Sequence, residues 1–283
     1  MIKSILVPIG TSKCSFTALK TGVNLANLLK ATLRLLYVED TTKMVAVIVA
    51  CRGVAGVSMG LPGIQTEKEE LEEIREEIEK EKEVVQKYYN EVKEQIEGEH
   101  SLVVRTGKVT EEILKEIKTV DLVVMGKSLK KDVSGEIQSS LFGVIQKANK
   151  PMIAVHDVED LGKNILIAYD GSLSANNSLK ILGDLIPVLS PKINILTVKN
   201  DKDEASHLLN EGESYFLPYK VEINKLWKSG KVAENIIKKV EKKQISFVVM
   251  GGYGDNKFKE FLLGSTTEQI LKALDIPVMV CNA

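Results

Sequence analysis

Cysteine is scarce, with three in 283 residues at positions 14, 51 and 281. Three scattered thiols build neither a disulfide framework nor a CxxC metal knuckle, and they suit a reducing, cytoplasmic setting. An excess of charge of one sign is missing too. Lys and Arg total 38 against 39 for Asp and Glu, a net charge of −1. That balance excludes a strongly basic chain held to nucleic acid by bulk charge, and it excludes an acidic tail protein. The three histidines, His100, His156 and His207, fall in no ligand spacing, so no metal site is expected. Neither a GxxxxGK[ST] phosphate loop nor a GxSxG nucleophile elbow occurs. Residues 1–9 carry one Lys and run straight into a strand-like segment, so no signal peptide is expected. A single weakly charged run is long enough to matter. Residues 44–63 hold one charge, Arg52, over about the length that crosses a bilayer. Arg52 sits mid-span, and Gly53, Gly56, Gly60, Pro62 and Gly63 weaken a helix there. The expectation is a mobile apolar loop or an interface segment, without stable membrane insertion.

What is present is an internal repeat. The length suggests two domains, and 44% hydrophobic with 27% charged residues is ordinary globular composition. Residues 3–38 match residues 163–198 at an offset of 160. Ile5-Leu6 corresponds to Ile165-Leu166, Ser12 to Ser172, Leu19-Lys20 to Leu179-Lys180, and Leu36 and Val38 to Leu196 and Val198. Val123-Val124-Met125-Gly126 returns as Val248-Val249-Met250-Gly251, and each half closes on a Pro-led apolar run, from Pro151 and from Pro277. The chain therefore divides into domains 1–158 and 163–283, with a boundary near 157–162.

Each half alternates strand and helix. Strands are expected at Ile2–Ile9, Leu33–Val38, Ser101–Arg105, Leu122–Met125 and Met152–Val155. In the second half they fall near Asn164–Tyr169, Lys192–Val198, Lys220–Leu226, Ile245–Met250 and Val278–Val280. Helical spacing marks residues 14–29, Val109–Ile117 and the stretch from Ser265 to Ala273. Such alternation implies an α/β fold with a parallel sheet and right-handed crossovers, whose ligands sit beyond the carboxyl ends of the strands. The last strand of each half would expose an unpaired edge, so the two halves are expected to pack as a pseudo-dimer by pairing those edges antiparallel.

The first half carries an insert, residues 41–100. Thr66 with Glu69 reads as a capping box opening a long charged helix, and Gly98 as its stop. Leu71, Ile74, Ile78, Val85, Tyr88, Val92 and Ile96 form one apolar stripe with a gap at Glu81. That stripe packs on its own sheet or meets a partner protein or a second copy of the chain.

Binding chemistry concentrates near the C-terminus. Met250 ends a buried strand, and Gly251, Gly252, Tyr253 and Gly254 follow; nine residues later come Gly264, Ser265 and Thr266 at the start of a helix. Glycine admits close backbone approach, and the free N–H groups of a helix start attract phosphate. Ala168-Tyr169-Asp170-Gly171-Ser172 ends another strand at the same edge, as does Val198. Alternatives are that Asp170 caps a helix and that Val198 is plain core. Cys14, near a helix start, is either a thiol of lowered pKa or a packing residue, and Trp227 is expected to pack.

With these residues in view, the chain resembles the universal stress protein family over nearly its whole length. Its ATP-binding members carry G-x2-G-x9-G-[S/T], which Gly251, Gly254, Gly264 and Ser265 reproduce. The resemblance implies two tandem Rossmann-like domains, each with a five-stranded parallel sheet of order 3-2-1-4-5. It implies an adenine nucleotide, ATP or AMP, with Mg2+ accompanying ATP. Val198 would offer its backbone to adenine, Ala168, Tyr169 and Asp170 would flank base and ribose, Gly251 to Gly254 would meet ribose and phosphate, and Gly264 to Thr266 would bind phosphate. The first half departs from the pattern. Gly10 replaces Asp170, Leu129 the second glycine and Gln138 the third. Leu129 would crowd the phosphate path, so that half reads as degenerate, with Lys127, Lys130 and Lys131 either binding another anion or forming a solvated loop. The leading expectation is a nucleotide-binding regulatory protein of the stress response. The alternatives are a slow ATPase or nucleotide-dependent transferase, for which no base or arginine finger is visible, and an interaction scaffold without nucleotide.

Overall fold

The computed structural model describes residues 1–55, 62–127, 140–252 and 264–282. The first domain runs β1 (Ser4–Ile9), α1 (Lys13–Leu29), β2 (Thr32–Asp40), α2 (Thr42–Ala55), α3 (Pro62–Val92), β3 (His100–Gly107), α4 (Val109–Glu116), β4 (Leu122–Gly126), α5 (Ser140–Lys147) and β5 (Met152–Val155). The second runs β6 (Asn164–Ala168), α6 (Leu173–Leu189), β7 (Lys192–Val198), α7 (Lys202–Phe216), β8 (Ile223–Lys228), α8 (Val232–Lys243), β9 (Phe247–Gly251), α9 (Ser265–Ala273) and β10 (Val278–Cys281). Strand order is β3-β2-β1-β4-β5-β10-β9-β6-β7-β8 in one sheet of ten. Each half is thus parallel with order 3-2-1-4-5. The two halves join antiparallel where Val278 faces Ala154 and Val280 faces Met152, so the expected seam forms and neither last strand remains an edge.

Alternation along the strands sets the two layers. In β1, Ile5, Val7 and Ile9 face the core beneath α1, α3, α6 and α7, while Leu6 faces the core beneath α4, α5, α8 and α9. The first helix of each half starts and stops in the same way. Ser12 and Ser172 cap α1 and α6, each hydroxyl accepting a backbone N–H at 3.2 Å. Lys30 and Ser190 end these helices with φ of 52° and 46°, in the left-handed conformation.

The insert departs from expectation at its start. The run 44–63, expected as a mobile apolar loop or an interface segment, is helical as far as Ala55, where it forms most of α2; β-branched and small apolar residues are tolerated there because α2 packs along α3. Residues 56–61 lie outside the described residues. α3 begins at Pro62, where a ring with no N–H to lose suits the first turn. Thr66 is therefore inside the helix and opens no capping box. Nor is Gly98 the stop. α3 ends at Val92 in a short 3-10 turn, Lys93–Gln95, and Gly98 has no left-handed φ. The stripe lies on its own sheet: Val85 and Val92 are buried in the core, with Tyr88 and Ile96 packed beside them. β8 begins at Ile223, three residues late, because Lys220 turns left-handed at φ 55° after the 3-10 turn Leu217–Tyr219. Among the described residues no helix is long and apolar enough to cross a membrane.

Candidate functional site

The switch in strand order of the second domain lies between β6 and β9 on one side and β6 and β7 on the other. The ends of β6 and β7 are locked together there. The Tyr169 N–H donates to the Leu196 carbonyl at 3.0 Å, and Thr197 Oγ1 donates to the Tyr169 carbonyl at 2.9 Å. This sets Val198 beside the turn that follows β6. In that turn the Ser172 N–H donates to Asp170 Oδ1 at 3.1 Å, and Gly171 takes φ 80°. Asp170 is exposed at the sheet edge. It does not cap α6, since Ser172 does.

Gly251 and Gly252 have packing reasons of their own. A Cβ on Gly251 would stand 2.7 Å from Ser174 Oγ and 3.0 Å from the Ala175 nitrogen, at the first turn of α6. Gly126 meets the Cys14 backbone in the same way at 2.7 Å. This shared close approach of strand to helix explains why Val-Val-Met-Gly recurs. The Gly252 N–H donates to the Cys281 carbonyl at 2.7 Å, and the Asn282 side chain closes over its Cα.

Gly264 returns the chain to the same place. A Cβ there would lie 3.2 Å from the Gly252 carbonyl oxygen, which accepts from Thr267 Oγ1 at 3.0 Å. Gly264 supplies no side-chain cap to α9, so a helix start faces this edge with Ser265 exposed and Thr266 half-buried. Tyr253 and Gly254 lie outside the described residues, as do Leu129, Lys130, Lys131 and Gln138 of the first domain.

Two of the expected residues turn inward. Tyr169 is buried; its hydroxyl donates to Asn176 Oδ1 at 2.8 Å, and burial with the neighbouring Glu211 pushes its pKa well up. Met250 is buried in the core. Both place the backbone of the edge and present no side chain to it. Ser174 and Asn282 carry no sequence signal of a site, and Thr267 completes the Ser265-Thr266-Thr267 run that opens α9.

The first domain differs at the equivalent positions. The Lys127 N–H donates to the Val155 carbonyl at 2.6 Å, as Gly252 does to Cys281. Its side chain is neither a solvated loop residue nor an anion ligand. It is fully buried, and its ammonium donates to the Leu274 carbonyl at the end of α9 across the seam. Desolvation lowers its pKa to about 8 against the pull of Asp275 and Cys14. Asn282 makes the reciprocal contact, donating to the Ile145 and Ala148 carbonyls at 2.7 and 2.6 Å at the end of α5. The Cys14 thiol is raised, not lowered, by burial and by Asp157, so the helix start does not activate it. Trp227 is 37% exposed on β8, with its indole N–H on the Lys199 carbonyl at 2.9 Å, so it packs only in part.

A duplicated parallel sheet wound in opposite directions from its first strand, with helices on both faces, defines the class of doubly wound α/β proteins. Within that class the universal stress protein family model matches residues 1–156 and again 162–282, and the chain belongs to this family. It is similar to universal stress protein Slr1230 of Synechocystis sp., at 26% identity over 165 residues, 56% of this chain and 57% of that protein. It is also similar to universal stress protein MJ0577 of Methanocaldococcus jannaschii, at 40% identity over 47 residues, 17% of this chain and 29% of that protein. The matched stretches thus span little more than half of the first relative and under a third of the second. The crystal structure of a universal stress protein from Archaeoglobus fulgidus superposes with a TM-score of 0.74 at 21% identity, covering 99% of this chain and 98% of that one. That likeness establishes the tandem fold.

Proposed function

We propose that this chain is an adenine-nucleotide-binding regulatory protein of the stress response, acting in the cytoplasm with ATP or AMP as its ligand. One nucleotide would occupy the second domain and none the first. The observation that carries this reading is the meeting of Gly252 and Gly264 beside the uncapped start of α9. Bare backbone at a helix start suits a phosphate, and a side chain at Gly264 would press on the Gly252 carbonyl. Ser265 and Thr266 would add hydroxyl donors, Asp170 would face the ribose, and the Val198 backbone would take the adenine edge. Mg2+ would travel with ATP as its counter-ion, since the described edge carries one carboxylate and no cluster of ligands. In the first domain Lys127 stands where Gly252 stands and Gly10 where Asp170 stands, so neither the bare backbone nor the carboxylate is repeated.

Calorimetric titration of the full chain with ATP is expected to give a stoichiometry near one. Gly254→Leu, which copies Leu129, is expected to abolish that binding while circular dichroism and the unfolding midpoint stay unchanged. Two equivalent sites, or full affinity in the folded variant, would overturn the assignment. Timed ATP turnover by the native chain, set against the same variant as a control, separates a binding protein from a slow ATPase.

A further inference from the structure

The helix α9, whose uncapped start faces the edge of the second domain, is held at both ends. At its start Thr267 Oγ1 donates to the Gly252 carbonyl at 3.0 Å, and the Gly252 N–H donates to the Cys281 carbonyl at 2.7 Å. At its end the Leu274 carbonyl is one of the last acceptors, which a helix leaves without a partner of its own. It accepts from the Lys127 ammonium of the first domain. The corresponding helix α5 ends differently. There the Ile145 and Ala148 carbonyls accept from the neutral Asn282 amide at 2.7 and 2.6 Å. The helix that starts at the glycines is therefore also the one with a buried cation at its far end.

Stability does not account for that cation. Lys127 is fully buried, and desolvation outweighs the pull of Asp275 and Cys14, so the charged form is kept at a cost to the fold. The titratable groups at this corner of the seam are few. Cys14 comes from the first turn of α1 and Asp275 follows α9. His156, after β5, stands 3.8 Å from Asp275 and 3.4 Å from Asp157, and Asp157 meets Lys13 at 3.5 Å. A positive charge at the carboxyl end of a helix complements its dipole, and it adds attraction for an anion at the amino end. The nine residues of α9 put those ends about 14 Å apart.

We propose that Lys127 is a positioning residue for the anion site of the second domain, tethering α9 from behind and adding a charge that draws phosphate to its start. The first domain, degenerate as a site of its own, thereby sets the affinity of its neighbour. The ligand in this inference rests on the nucleotide reading above; the tether does not. Removing the ammonium leaves the Leu274 carbonyl without its donor and frees the far end of α9, while Thr267 still holds the near end to Gly252.

Two measurements on the full chain test this: ATP affinity by calorimetry from pH 7 to 9, and amide exchange of the ligand-free chain at pH 7. Lys127→Met and Lys127→Gln both remove the charge, and the glutamine keeps a neutral donor. At pH 7 each variant is expected to bind ATP about fivefold more weakly, the effect of one charge about 14 Å away at a protein-like dielectric. Native affinity is expected to fall by about the same factor as the ammonium discharges near 8, because the bound anion favours the protonated form. Both variants should lack that step. In Lys127→Met the amides of α9 should exchange at least tenfold faster, with those of α6 unchanged. Unchanged affinity in a folded variant, no pH step in the native chain beyond that of the variants, or unchanged exchange in α9 would each overturn the proposal. A native chain that binds no ATP overturns the nucleotide assignment instead, and exchange in α9 then decides the tether alone.

Discussion

At the scale of single residues, Gly251 and Gly126 serve the sheet as much as any ligand. Gly251 touches Ser174 and Ala175 in the first turn of α6, and Gly126 touches the Cys14 backbone. Gly251→Ala is expected to destabilise the chain by about 1–3 kcal/mol, the usual cost of forcing atoms into a filled space; the urea midpoint measures it. Lys127 makes a pH-dependent prediction. Unfolded, it keeps its proton up to the ordinary lysine value of 10.5; folded, it releases it near 8. Between these values the unfolded state binds more protons, so stability from this group rises with pH, by on the order of 3 kcal/mol in all. The unfolding free energy of the native chain minus that of Lys127→Met should therefore climb from pH 8 to 10.5. A flat difference would mean the ammonium is better solvated than its burial indicates.

At the scale of elements, periodicity was a good guide where one face meets the sheet. Val85 and Val92 of α3 sit in the core, as their spacing required, and Val85→Ala or Val92→Ala should each cost about 2 kcal/mol, while the exposed Glu83→Ala should cost little. Parallel unfolding curves of the three variants test this. Boundaries were read less well for identifiable reasons. A capping box at Thr66 is a strong local signal for the start of α3, yet Pro62 opens the helix and α2 packs against it. α2 itself was hidden by β-branched residues and glycines, whose weak helix propensity is overridden by packing against a neighbour.

At the scale of the whole molecule, the seam between β5 and β10 makes two small sheets into one. The central strands are covered on both faces and paired on both edges, whereas β3 and β8 are the margins. Amide exchange at Ile153 and Met279 should require global unfolding, and amides of β3 and β8 should exchange through local opening. Crosswise contacts hold the seam as well: Lys127 reaches the end of α9, and Asn282 the end of α5. Asn282→Ala removes two hydrogen bonds to buried carbonyls, so a loss of about 1–3 kcal/mol is expected, read from the thermal midpoint.

The duplication and the alternation of strand and helix within each half were determined by the sequence alone, and the strand order followed from the family resemblance. Continuous apolar runs can only be strands buried on both faces, and a repeated run must fold in the same way twice. The sequence also separated the two halves at Gly10, because one absent carboxylate is visible without coordinates. Side-chain direction was another matter. Tyr169 and Lys127 both follow strand ends, and their neighbours along the chain do not say that one turns into the core and the other crosses to the opposite domain. Those outcomes depend on α7 and α9, which lie more than 30 and 130 residues away. Local pattern specifies which backbone forms; long-range packing specifies what each side chain meets.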